Sequence, residues 1–142
     1  MIGGEKKARN FRNYKVWQDA VDYATAVYKV TNEMPRFEKK GLCDQLQRAV
    51  VSISSNIAEG SARPSDADFA HFLDTALGSA YEVETQLLIA KNVGYIRNEY
   101  ENERRKGNDT DNKKGASYNE LFNGIVEIER QLSALIRSLR SE

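Results

Sequence analysis

The sequence predicts an all-α protein, an antiparallel up-and-down four-helix bundle. Four segments carry apolar residues three and four positions apart, which is the spacing of one face of an α-helix. The chain has only two prolines and nine glycines in 142 residues, which disfavours a loop-rich or all-β protein. Helices with such stripes that are joined by short links pack as antiparallel neighbours, so the four segments predict one bundle.

The first helix is predicted from near Val16 to Met34. Pro35 should end it, because proline disfavours helical geometry in the preceding residue and has no N–H to donate. A second apolar row beside the main stripe widens the predicted buried face. The main stripe consists of Val16, Ala20, Tyr23, Val27, Val30 and Met34, and the second row of Trp17, Val21, Ala24 and Tyr28.

The second helix is predicted from about Lys40 to Glu59. Its centre contains β-branched residues, but the flanking residues keep the helical period and no other segment offers a partner strand. Gly60 stands where a left-handed C-cap would end the helix. The stripe consists of Leu42, Leu46, Ala49, Ile53 and Ile57.

Ser65 is the predicted N-cap of the third helix, with Asp66 and Asp68 at the positive end of the helix dipole. Gly94 should close or bend this helix. A polar connection at 97–116 is predicted to be mobile because it has little apolar surface to bury. The third stripe is Phe69, Leu73, Ala76, Ala80, Val83, Leu87 and Ala90, and the fourth is Leu121, Ile125, Ile128, Leu132, Leu135 and Leu139.

The charges are unevenly distributed although 21 Lys and Arg balance 21 Asp and Glu. Residues 1–15 hold five basic residues and one acidic residue, whereas 16–96 hold seven basic and eleven acidic ones. Residues 97–116 and 117–142 are nearly balanced. We therefore predict a basic N-terminal arm at 1–15 and one bundle domain at 16–142, and a uniformly basic nucleic-acid-binding surface is excluded.

Composition excludes several other classes of protein. A single cysteine, Cys43, rules out a disulfide framework and a cysteine-based zinc site, and its place on an amphipathic helix predicts a buried residue. No apolar run is long enough for a membrane span and no secretion signal follows the start. These absences predict a cytoplasmic protein with no membrane partner.

The residues that carry chemistry do not form a catalytic pattern. His71 is the only histidine, and no nucleophile or orienting acid is singled out beside it, so an ion pair or cap with Asp68 is the simpler interpretation. A di-iron bundle needs a second histidine, which the chain lacks. The sequence therefore predicts no catalytic residue, no metal and no cofactor.

Two patches of small and polar residues interrupt the apolar pattern, at 52–60 and 77–84. Small side chains allow a neighbouring helix to approach closely, and the polar ones could hydrogen-bond between helices. We predict a structural interhelical network here, and a metal site on the three glutamates is the less supported alternative. The predicted network consists of Asn56, Glu59, Gly60, Tyr81, Glu82 and Glu84.

Residues 11–18, 45–60 and 72–87 resemble a known family, most specifically in the run Asn56-Ile57-Ala58-Glu59-Gly60. This is the bacterial four-helix-bundle family encoded in intervening sequences of 23S ribosomal RNA genes, often labelled "S23 ribosomal protein". The resemblance implies a bundle that assembles into a ring, a homopentamer, with no established enzymatic activity. Similar bundles, the accessory variability determinant proteins of diversity-generating retroelements, engage a reverse transcriptase and RNA through a basic surface.

Two functions follow as hypotheses. The first is a non-enzymatic homo-oligomeric scaffold with a protein partner. It rests on apolar side chains beyond those that one bundle core needs, and these are the candidate interface residues Trp17, Tyr28, Tyr81 and Leu88. The second is an accessory protein that binds RNA or DNA through its arm. The candidate residues for nucleic-acid binding are Lys6, Lys7, Arg9, Arg12 and Lys15.

Overall fold

A computed structural model describes residues 9–98 and 115–141, and these residues form four α-helices. No strand occurs within these two ranges, so the predicted all-α fold is confirmed. Short 3-10 turns at Phe11–Asn13 and Arg36–Glu38 precede α1 and α2. The helices are α1 (Lys15–Thr31), α2 (Leu42–Ser61), α3 (Asp66–Asn92) and α4 (Tyr118–Arg140).

The helices form a four-membered ring of contacts in chain order, with α4 returning to α1. Hydrogen bonds between helix ends show the antiparallel arrangement. Gln47, early in α2, donates to the hydroxyl of Thr31 at the end of α1, at 3.0 Å. Arg140, the last residue of α4, pairs with Asp74 in the first half of α3, at 2.6 Å. α2 therefore runs antiparallel to α1 and α4 antiparallel to α3, and in the ring of contacts the α1/α2 seam is opposite the α3/α4 seam.

The predicted stripes form the core. Val27, Ile53, Leu73 and Ile125 are each fully buried, one from each helix. Burying a side chain of this size contributes about 1.5–3 kcal/mol, so the four stripes together supply the main stabilisation of the bundle. Cys43 is also buried, as its place on the amphipathic helix predicted.

Helix starts follow the sequence closely. The Ser65 hydroxyl accepts a hydrogen bond from the N–H of Asp68 at 3.0 Å, so the predicted N-cap of α3 is confirmed. Ser117 and Glu120 form a reciprocal capping box at the start of α4. Gly94, with φ of 86°, follows the end of α3 in the left-handed conformation that glycine permits.

Three details of the predicted helices are corrected. The first helix ends at Thr31 rather than Met34, because the N–H groups of Glu33 and Met34 bond three residues back in tight turns before Pro35. Gly60 is inside α2, which continues to Ser61, and is not a left-handed cap. In α4 the buried position near the C-terminal end is Ile136, whereas Leu135 and Leu139 are partly buried.

None of the described helices combines the length and the apolar character that crossing a bilayer requires. The connection predicted to be mobile at 97–116 lies for the most part outside the described residues, as does the start of the basic arm.

Candidate functional site

The predicted polar network divides between two separate helix seams. Asn56 donates its amide to the carbonyl of Ser52 at 2.8 Å and to the hydroxyl of Ser52 at 3.0 Å, so its bonds stay within α2. Ser52 in turn contacts the hydroxyl of Ser79 on α3 at 2.9 Å. The α2/α3 link is therefore a serine pair supported by Asn56.

The other members of the predicted network do not meet Asn56. Glu59, Tyr81 and Glu82 are exposed. Glu84 is half-buried and its carboxyl group contacts that of Glu129 on α4. The structure thus places Glu84 in the α3/α4 seam, away from the α2/α3 seam.

Gly60 allows close packing between α2 and α3. A Cβ atom at this position would lie 2.6 Å from Cβ of Phe72 and 3.0 Å from Cδ1 of Phe69. Both aromatic residues belong to α3, and Phe69 is fully buried. The glycine is therefore needed because no side chain fits between the two helices at this level.

The α3/α4 seam holds an acidic pair that is unusual for a bundle interior. Burial together with the contact to Glu84 raises the pKa of Glu129 from 4.5 to about 8. Tyr23 of α1 lies beside the pair, and burial followed by the nearby carboxylate of Glu129 raises the pKa of its hydroxyl. The Tyr23 hydroxyl donates to the carbonyl of Leu121 at 2.7 Å.

A first apolar face lies along the α1/α2 seam and consists of Trp17, Val21, Tyr28 and Val51. Tyr28 and Val51 line one shallow groove, and their side chains are 40% and 41% exposed. Val21 lies two helical turns before Tyr28 on the same side of α1. Trp17 is half-buried, with its ring against that of Phe11 at 5.0 Å between centroids.

A second apolar face lies along the α3/α4 seam and consists of Tyr81, Leu88, Phe122 and Val126, all exposed. Tyr81 and Leu88 are three residues before and four residues after Glu84, so they flank that seam on α3. Phe122 and Val126 precede Glu129 by seven and three residues on α4. The two apolar faces are therefore on opposite sides of the bundle.

Contacts beside the second face fix the register of α3 and α4. Lys91 of α3 holds its Nζ 5.1 Å from the ring centroid of Tyr118 on α4. The ring of Tyr118 stacks on that of Phe122, with centroids 6.0 Å apart. Phe122 is therefore held at the level of the last quarter of α3, which contains Leu88.

The described part of the basic arm is folded against the bundle. Arg9 donates to the carbonyl of Arg63 at 2.7 Å, forms an ion pair with Asp66 and lies 4.9 Å from the ring centroid of Phe69. Its side chain is only 14% exposed, so it is occupied by these contacts. Arg12 and Lys15 are exposed, and Lys15 forms an ion pair with Asp19 one turn further along α1. Lys6 and Lys7 lie outside the described residues.

The described residues contain no catalytic constellation. His71 is exposed on α3. Burial raises the pKa of the Cys43 thiol, the opposite of what a nucleophilic cysteine needs. No group of three metal-ligating side chains occurs in residues 9–98 and 115–141.

The comparison with protein families decides the identity of the chain. The model of the 23S rRNA-intervening sequence protein family matches residues 12–113, which include α1, α2 and α3. The chain belongs to that family. The recognition made from the sequence is therefore confirmed at the family level.

The solved structures include a member of the same family. The chain is similar to a protein of unknown function of the S23 ribosomal protein family from Bacteroides thetaiotaomicron VPI-5482. The two are 24% identical, with a TM-score of 0.68 over 86% of this chain and 95% of that one. At this identity the likeness shows the fold. No curated protein matches the sequence.

Six functional candidates were not singled out from the sequence. They are Ser52 and Ser79 of the serine pair, which lie in the two predicted small-residue patches, Glu129 of the acidic pair, Val51 of the first face, and Phe122 and Val126 of the second face. The spacing of Phe122, Val126 and Glu129 on one side of a helix was a usable signal for the α4 group. Nothing in the spacing of Ser79 distinguishes it from other small residues.

Proposed function

We propose that this member of the 23S rRNA-intervening sequence protein family is a non-enzymatic scaffold that assembles from identical copies. The observation that carries the proposal is the pair of apolar faces on opposite sides of the bundle. Exposed apolar residues that cluster along a seam are typical of protein interfaces, whereas single ones are ordinary.

Two different faces favour one mode of assembly. If the first apolar face of one copy packs on the second apolar face of the next, each copy uses both faces and the chain of contacts can close into a ring. An isologous dimer would bury one face and leave the other in water. The number of copies, five, comes from the family resemblance, and the faces support a ring rather than this particular number.

Aromatic residues strengthen this interpretation. Tyr28 belongs to the first face, and Tyr81 and Phe122 belong to the second. Interface cores are enriched in tyrosine and phenylalanine and depleted in charged residues. Tyr81, at 52% exposed, has the most surface left to bury.

Size-exclusion chromatography with light scattering tests the proposal. We expect the wild-type protein to elute as an oligomer, and Val51→Glu or Leu88→Glu to lower its mass because each places a charge on one face. Ile89→Glu is the matched control, since Ile89 is about as exposed as Leu88 and lies about 100° further round α3. A monomeric wild type, or equal loss of mass in the control, would contradict the proposal.

A second candidate function is nucleic-acid binding by the arm. It is favoured by the hydrogen bond of Arg9 that anchors the arm at the α2/α3 turn, since Arg63 in that turn and Arg12 in the arm are both exposed. Such cations can contact phosphates, and binding should then weaken steeply with salt. The test is fluorescence anisotropy with a labelled RNA hairpin, comparing wild type with a Lys6→Gln, Lys7→Gln, Arg12→Gln triple variant. Equal affinity of the two would overturn this candidate.

A further inference from the structure

The α3/α4 seam brings the carboxyl groups of Glu84 and Glu129 into contact. Glu84 and Glu129 are both half-buried, and Oε2 of Glu129 is buried with no hydrogen-bond partner among the residues that the structure describes. Two carboxylates at hydrogen-bond distance repel strongly in a partly desolvated site. A proton shared between them removes one charge and supplies the missing donor.

The groups that face this pair do not neutralise it. From α1 the facing group is Tyr23, whose hydroxyl hydrogen is already given to the carbonyl of Leu121. On α4, Tyr118 acts on the Tyr23 hydroxyl, and Lys91 of α3 lies over the ring of Tyr118, with its Nζ 5.1 Å from the centroid. The charge that acts on the Glu129 carboxyl is that of Glu84. A bound proton is therefore what compensates the negative charge of the Glu84–Glu129 pair.

We propose that Glu84 and Glu129 share one proton and form a pH-dependent latch that holds α3 against α4 and is released in mildly alkaline solution. With the proton present, the carboxyl–carboxylate hydrogen bond joins the two helices. Without it, two negative charges meet in the seam and push the helices apart.

The latch lies directly beneath the second apolar face. Tyr81 and Leu88 flank Glu84, and Val126 is one turn before Glu129, so the spacing of α3 and α4 sets the shape of that face. Resting on the proposed assembly, the latch would make the contact between copies weaken as the pH rises. Burial of the seam by a second copy favours the protonated pair further.

Linkage gives the direction of the effect. Between the ordinary carboxyl range and about pH 8, the folded chain holds a proton on the pair that the unfolded chain has lost. Stability from the latch is thus complete below about pH 4.5, falls as the pH rises and is gone above about pH 8. For one linked proton, the unfolding equilibrium constant rises by up to about tenfold per pH unit within this range.

Urea denaturation of the full chain between pH 6 and 9 tests the latch. The wild type, Glu129→Gln and Glu84→Gln are compared, with Glu82→Gln as a matched control because Glu82 is exposed on α3. Glutamine can donate the hydrogen bond at every pH. We expect the unfolding constant of the wild type and the control to rise with pH and that of Glu129→Gln to stay level. That of Glu84→Gln should rise less steeply than the wild type, because burial still raises the pKa of Glu129.

Each outcome decides the proposal. An unfolding constant of the wild type that does not change with pH, or seam variants with the same pH dependence as the wild type, would overturn the latch.

Repeating the series in a Val51→Glu background, where the assembly is blocked, keeps the result independent of the proposed function. Light scattering at pH 6.5 and 9 then tests the coupling: the mass of the wild type should fall at pH 9 and that of Glu129→Gln should not.

Discussion

A Cβ atom on Gly60 would lie 2.6 Å from Cβ of Phe72, so α2 and α3 touch at a point where no side chain fits. A real Cβ pair essentially never approaches so closely. Both atoms are next to the backbone, so a rotamer change cannot relieve the overlap. The two helices would have to move apart.

Gly60→Ala should therefore destabilise the protein although alanine is the better helix former. We expect a loss of about 1–3 kcal/mol in the free energy of unfolding, the usual cost of overpacking. Gly78→Ala is the matched control, because Gly78 is exposed in α3 with nothing within 4 Å of its Cβ position. It should gain about 0.5–1 kcal/mol. Urea denaturation measures both, and a neutral or stabilising Gly60→Ala would contradict the packing argument.

Arg9 should contribute to stability, whereas Arg12 should not. Removing the Arg9 side chain breaks its bonds to the Arg63 carbonyl and Asp66 and its contact with Phe69. Hydrogen bonds with charged groups contribute about 1.5–3 kcal/mol when buried. Because Asp66 is 40% exposed, we expect a smaller loss, about 1–2 kcal/mol, for Arg9→Ala.

Arg12→Ala is the comparison for this experiment. Among the described residues, the guanidinium of Arg12 contacts Asn10 and the ring of Phe11, both within the same segment. The change should alter the free energy of unfolding by less than about 0.5 kcal/mol. If the two variants lose equal stability in thermal or urea denaturation, the arm is not anchored through Arg9.

Tyr23 should stabilise the α1/α4 contact through its hydroxyl as well as its ring. The hydroxyl donates to the Leu121 carbonyl at 2.7 Å in a buried position. Tyr23→Phe removes this bond while keeping the ring, and we expect a loss of about 0.5–1.5 kcal/mol. Tyr81→Phe is the control because Tyr81 is exposed and should change stability little. Equal urea midpoints for the two variants would argue against a contribution from this bond.

The sequence predicted the helices well because each stripe reports a local property, the side of a helix that is buried. Ser65 was recognisable as an N-cap for the same reason, since a cap depends on residues within one turn. The long polar connection gave no such signal, and α4 was still recognisable because its own stripe is complete.

The partners of particular residues were not predictable in this way. Glu84 was expected to meet Asn56, but it faces α4. The apolar stripe of a helix does not determine which residue of a neighbouring helix lies opposite a given position. Gly60 was expected to be a cap, since cap and packing glycines both occur late in a helix. Leu135 and Ile136 are adjacent apolar residues, and only the rotation of α4 against its neighbours makes Ile136 the buried one.

The central claim is that two different faces join the copies, and a mixing experiment tests it most directly. Val51→Glu blocks the first apolar face and Leu88→Glu blocks the second, so each variant alone should be monomeric. In an equimolar mixture the intact face of one variant can bind the intact face of the other, and light scattering should show a dimer and nothing larger. If the mixture stays monomeric, or if either variant alone still assembles like the wild type, the copies are not joined by these two faces.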